Sequence, residues 1–147
     1  MKKLNFLFAF IFILSVGFFA SCGSDENAEA PTITFSGVED GAVLTIDEVQ
    51  TISVTITSDN DMETLEVTTG QAPTTVVYSS AELDADDATK FVKNTISATV
   101  SVELTPKQDS WVAVKVTDKD GLTTTETINF TVGAGASLTT FSTVMVG

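Results

Sequence analysis

Residues 95–104 read Thr-Ile-Ser-Ala-Thr-Val-Ser-Val-Glu-Leu, apolar at every second position (Ile96, Ala98, Val100, Val102, Leu104) and polar or small between. A period of two puts the apolar set on one face of an extended strand and scatters it around a helix, so the segment is committed to β structure. The pattern recurs with Ile52, Val54 and Ile56 against Thr51, Ser53 and Thr55. It recurs again with Val112, Val114 and Val116 against Trp111, Ala113, Lys115 and Thr117, and with Ile128, Phe130 and Val132 against Thr127, Asn129 and Thr131. Each run predicts a strand with one buried and one wetted face.

Turn signals separate the runs: Asp40-Gly41, Ser58-Asp59-Asn60-Asp61, Gly70 with Pro73, Pro106, and Asp120-Gly121. Weaker strands fit at Thr32–Phe35, Leu65–Thr69 and Thr74–Ser79, and a short helical turn fits within residues 81–93 over Leu83 and Phe91. The expected fold is all-β, an immunoglobulin-like antiparallel β-sandwich of about seven strands over residues 32–132. The run Trp111-Val-Ala-Val-Lys-Val-Thr-Asp118-Lys-Asp120-Gly121-Leu-Thr resembles the penultimate-to-last strand hairpin of PKD-like and cadherin-like domains. That resemblance, over about residues 31–132, implies a fold and no activity.

What precedes the strands is a different kind of polymer. The chain is acidic, with a formal net charge of −13, yet its mean hydropathy is +0.26. Six of the ten Phe lie in the first twenty residues, so two unlike segments have been averaged. Lys2 and Lys3, the uncharged stretch Leu4–Phe19 and the small Ala20 and Ser21 make residues 1–21 an export signal. The stretch is shorter than the roughly 20 residues of a spanning helix and lacks a basic stop-transfer flank. Phe19-Ala20-Ser21-Cys22 resembles a bacterial lipobox, with Phe19 where Leu or Val is commoner. The resemblance implies a lipoprotein signal peptide cut before Cys22, whose sulfur is then acylated. The alternative is a soluble secreted protein cut near Ala20. Buried acyl chains contribute about 0.8 kcal/mol per CH₂, so the acylated protein would be anchored to a membrane without spanning it. Residues 22–31 read as an acidic tether. Asp25 and Glu26 resemble the acidic export signal of Bacteroidota-type lipoproteins, which implies an outer-membrane protein exposed at the cell surface; the alternative is a periplasm-facing lipoprotein whose acidic tether is merely flexible.

Composition removes several chemistries. Without His there is no triad base and no imidazole ligand, and one Cys allows neither an intramolecular disulfide nor a thiolate zinc cage. Without Arg and with seven Lys, a phosphate-tracking nucleic-acid surface is excluded as well. Losing Lys2 and Lys3 with the signal takes the charge from −13 to −15 over the remaining 126 residues.

Nine of the twenty acids fall in three connections that a sandwich of this class gathers at one end: Asp59, Asp61 and Glu63; Glu82, Asp84, Asp86 and Asp87; Asp118 and Asp120. Ca²⁺ takes six to eight oxygen ligands, which makes Asp59, Asp61, Asp118 and Asp120 a candidate cation set. The competing reading is turn chemistry, since Asp-Gly is what a tight hairpin demands. The first strand starts at that same end, so nine residues, Gly23–Pro31, would hold the acidic pole within about 30 Å of the membrane. Trp111 points outward at the far end, either as a platform for a sugar ring or as an interdomain contact. Residues 133–147 read as a linker, Gly133-Ala-Gly135-Ala, followed by a new apolar run, Leu138–Gly147. That run is similar to the opening of second β-rich domains in Bacteroidota-type surface lipoproteins, which implies a partner domain beyond it; the alternative is an extra edge strand.

The expected function is therefore a non-enzymatic, lipid-anchored envelope lipoprotein, its module a spacer or binding domain and its anchor in the membrane at acylated Cys22. The alternatives are a module binding carbohydrate or a host surface through Trp111, and a calcium-rigidified adhesin segment.

Overall fold

The alternating runs become strands whose apolar sets close a single core between two sheets. The computed structural model describes residues 28–70 and 73–133; these contain eight strands and no helix. The strands are β1 (Thr32–Ser36), β2 (Ala42–Thr45), β3 (Gln50–Thr57), β4 (Met62–Thr69), β5 (Thr75–Ser79), β6 (Ser97–Thr105), β7 (Ser110–Asp118) and β8 (Thr123–Gly133). One sheet has the order β1-β3-β6-β5 and the other β2-β8-β7-β4. The signal peptide at residues 1–21, Cys22, the tether up to Asn27 and the C-terminal residues 134–147 lie outside the described residues.

Ile52, Val54 and Ile56 of β3 cluster with Val100, Val102 and Leu104 of β6, with Val112, Val114 and Val116 of β7, and with Ile128 and Phe130 of β8, all essentially withdrawn from water. Each such side chain contributes about 1.5–3 kcal/mol when fully buried, and that drives the two sheets together. Outside, the polar halves of the same strands form hydroxyl ladders such as Thr34, Thr55 and Thr99 across β1, β3 and β6.

The structure adds to the expected sandwich at β2. After β1 the chain leaves its sheet at Gly37, whose φ of 96° and whose approach to the Thr51 carbonyl, 2.8 Å from where a Cβ would stand, exclude other residues. Val38 then enters the core, and Ala42–Thr45 pairs in parallel with Phe130–Gly133 of β8. The second sheet is thus mixed, its other pairs being antiparallel. β4 starts earlier than its alternation indicates because a register shift between Met62 and Thr64 lets Met62 and Leu65 both point inward.

Two expectations are corrected. Ile96 is 53% exposed and lies ahead of β6. Asn94, at φ 64°, resets the chain's direction just before it, so that Thr95 is buried instead and Ile96 points away. Residues 81–93 contain no helical turn. Leu83 and Phe91 meet as an antiparallel bridge, flanked by Asp84 N–H to Lys90 O at 2.8 Å and Val92 N–H to Glu82 O at 2.9 Å. The Asp84 and Asp87 carboxylates take the N–H groups of Asp86 and Thr89, at 2.8 and 3.1 Å, and this local capture competes with helix formation.

Candidate functional site

Two regions carry the polar and aromatic groups that the sequence singles out, and they lie at opposite ends of the second sheet. At the first, the connections β3–β4, β5–β6 and β7–β8 come together. Met62 N–H donates to Thr95 O at 2.7 Å, Leu65 N–H to Thr89 O at 2.9 Å and Lys119 N–H to Asp61 O at 3.0 Å. Asp118 closes β7 on its inward face and is fully buried. One of its carboxylate oxygens accepts the N–H of Asp120 at 3.0 Å and of Leu122 at 2.8 Å. The other lies 3.4 Å from the Asn60 amide nitrogen, which also donates to Asp120 at 2.9 Å. Lys119 pairs with Asp61 at 2.7 Å. Asp59 is exposed and borders a small cleft with Glu29, Ala30, Thr32, Thr57 and Ser58.

Of the four candidate cation ligands, Asp61, Asp118 and Asp120 are therefore drawn together while Asp59 borders a separate cleft, and the groups around Asp118 point donors at its carboxylate as a turn requires. Among the described residues, no three Asp, Glu, Cys or His side chains converge as a metal centre would. Asn60 is the residue that sequence reasoning missed. It reads there as one more turn former, whereas it ties the β3–β4 connection to the β7–β8 hairpin. Further around the pole, Thr89 and then Lys90 hydrogen-bond the Asp87 carboxylate and hold its pKa down at about 2, and the Lys90 ammonium is raised in return.

Chain polarity brings the N-terminal segment to this pole. Thr32 pairs with Thr57 at the start of β1, and the hydroxyl of Thr124 on β8 donates to the carbonyl of Pro31. β8 also starts at this pole, runs away from it parallel to β2, and ends at Gly133 opposite Thr45.

The second region is the outer face of β4, β7 and β8 near that far end. Trp111 faces outward and is 37% exposed. Its neighbours across the strands are Asn129 of β8 and Gly70, whose N–H donates to Trp111 O at 3.0 Å. An open depression beside the indole is lined by Thr68, Ala113, Thr125, Thr127 and Asn129. Asn129 is held from behind, its backbone N–H and side-chain amide donating to Asp40 at 2.7 and 3.0 Å. Those two bonds keep the Asp40 carboxyl below the usual carboxylate range. In the sequence Gly70 reads only as a turn former and Asn129 only as a polar position of an alternating strand, since neither the ring's position over Gly70 nor the Asp40 clamp can be read from spacing. Cys22, the predicted lipidation site, lies outside the described residues.

Two four-stranded sheets in the orders β1-β3-β6-β5 and β2-β8-β7-β4 define an immunoglobulin-like β-sandwich, with β2 as the split continuation of the first strand. No protein-family model and no curated protein matches the chain in sequence. Among solved structures it is similar to a lipoprotein from Bacteroides thetaiotaomicron determined by NMR in solution, with a TM-score of 0.49 and 13% identity, covering 85% of this chain and 95% of that one. It is also similar to the BIgI domain of the beta protein from S. agalactiae, in a structure bound to CEACAM1, with a TM-score of 0.43 and 16% identity, covering 71% and 98%.

Proposed function

We propose that the chain is a non-enzymatic, lipid-anchored lipoprotein of the cell envelope, whose immunoglobulin-like module is a spacer or binding domain held to the membrane through acylated Cys22. The observation that carries this reading is the placement of the single cysteine. Cys22 directly follows an apolar run ending in small residues, and nine residues later Pro31 is buried and engaged by Thr124. An acyl group on Cys22 would thus be coupled to a folded boundary by a tether of at most about 30 Å. The carboxylates of the acidic pole support a non-catalytic role, because Asp118 receives turn N–H groups and Asp61 pairs with Lys119. Asp25 and Glu26 on the tether favour the outer membrane and the cell surface.

Metabolic labelling with a tagged fatty acid tests the anchor. The full chain takes up label and a Cys22→Ser variant does not; an unlabelled wild-type chain, or equal labelling of the variant, overturns the reading. Protease treatment of intact cells tests the leaflet: cleavage of the domain marks surface exposure, and protection until lysis marks a periplasm-facing protein.

A further inference from the structure

We propose that the outer face of β4, β7 and β8 binds an uncharged polysaccharide, with the Trp111 indole as the platform on which one hexose ring stacks. This rests on the reading of the module as a binding domain and names the ligand class it takes.

The first support is Gly70. Its backbone is not left-handed, so conformation alone does not call for glycine there. The ring calls for it: a Cβ on Gly70 would stand 1.8 Å from Nε1 and 2.2 Å from Cε2 of Trp111. The indole therefore lies across the neighbouring strand, over the space a side chain would fill, and remains 37% exposed. A ring laid on a sheet in this way offers solvent a π face. That negative face attracts the positively polarised C–H groups on one side of a pyranose.

The second support is what surrounds the ring. Thr68, Thr125 and Thr127 supply hydroxyls that both donate and accept, and Asn129, directly opposite Trp111, is an amide already braced by Asp40. Ala113 keeps the floor low between them. Sugar hydroxyls require such bifunctional partners. A protein partner of comparable affinity would instead be anchored by several large apolar or Arg side chains, and threonine is under-represented among such anchors.

The third support is charge. Residues 22–147 carry −15, yet the residues lining this depression are uncharged; of the ions beside it, Lys115 and Glu66 pair at 3.7 Å and the Asp40 carboxylate is taken up by the two N–H donors of Asn129. The field of the remaining acids disfavours a polyanion, which leaves a neutral glycan as the fitting occupant.

Trp111 is the single Trp of the chain, so its fluorescence reports on the site directly. Full-length protein in detergent is titrated with neutral β-glucan, α-glucan, mannan and galactan oligosaccharides, and with polygalacturonate as the charged control. At least one neutral glycan shifts the emission saturably and polygalacturonate does not. On the immobilised form of that glycan, Trp111→Ala weakens retention by about tenfold or more, while Trp111→Phe keeps part of it. Gly70→Ala weakens retention with the indole still present, because it lifts the ring from its seat. The proposal is overturned if no neutral glycan moves the emission, if Trp111→Ala binds as well as wild type, or if the emission change follows protein concentration as self-association would. A Cys22→Ser chain that loses its lipid label keeps the glycan response, whereas a labelled wild-type chain without that response overturns this proposal and leaves the anchor standing.

Discussion

Asp118 continues the inward series Val112, Val114, Val116 of β7, and like them it is fully buried. A carboxylate at that depth persists only with donors aimed at it, which the N–H groups of Asp120 and Leu122 and the Asn60 amide supply. Asp118→Ala strips a buried turn of its acceptor and should lower stability by about 1–3 kcal/mol. Asp118→Asn keeps one carbonyl acceptor for the same two N–H groups and should lose less. Urea denaturation of both variants measures this, and an Ala variant as stable as wild type would mean that the turn holds without the carboxylate. Burial of Asp118 was legible in the sequence, because the count that places Val116 inside also places residue 118 inside. Its role was not legible. The same Asp-x-Asp-Gly spelling serves a cation loop and a hairpin turn, and only the direction of the surrounding donors separates them.

The strongly alternating elements β3, β6, β7 and β8 were legible because a buried face and a wetted face leave a period-two trace in any sequence. β2 left none: four residues are too few for a period, and its partner, β8, lies at the other end of the chain. Residues 81–93 mislead because Leu83 and Phe91 suggest a helical turn, while the Asp side chains between them bind backbone N–H groups and hold an extended loop on the β4 edge. Within it, Asp87 provides a pH test. Its folded pKa of about 2 lies below the ordinary 3.8, so ionisation favours the folded loop. That stabilisation is complete above pH 3.8 and disappears as the pH falls toward 2. Carboxyl NMR titration should place the Asp87 midpoint near the lower value, and Thr89→Val, by removing the hydroxyl donor 2.5 Å from Asp87, should move it up toward 3.8. An unchanged midpoint in the variant would assign the depression to Lys90 instead, 2.9 Å away.

At the scale of the molecule, the sandwich has unlike poles. Residues 29–31 lead into β1 at the end that carries Asp59, Asp61, Asp84, Asp86, Asp87 and Asp120, and β8 departs at the other end, past Trp111. In the proposed orientation the acidic pole faces the membrane and repels an anionic surface, which leaves the Trp111 face on the side away from the anchor. The same crowding of charge opposes compaction, and salt should relieve it. The Debye length falls from about 30 Å to about 8 Å between about 10 and 150 mM monovalent salt, so the melting temperature should rise over that interval. Calcium separates general screening from a specific site. Because Asp118 is committed to turn N–H groups and Asp61 to Lys119, the pole should respond to CaCl₂ as it does to NaCl of equal ionic strength. Thermal melts in chelator, in CaCl₂ and in matched NaCl decide the matter. Coincident curves for the two salts mean diffuse screening, while a further rise with calcium alone, abolished by Asp120→Asn, would establish a calcium-rigidified segment.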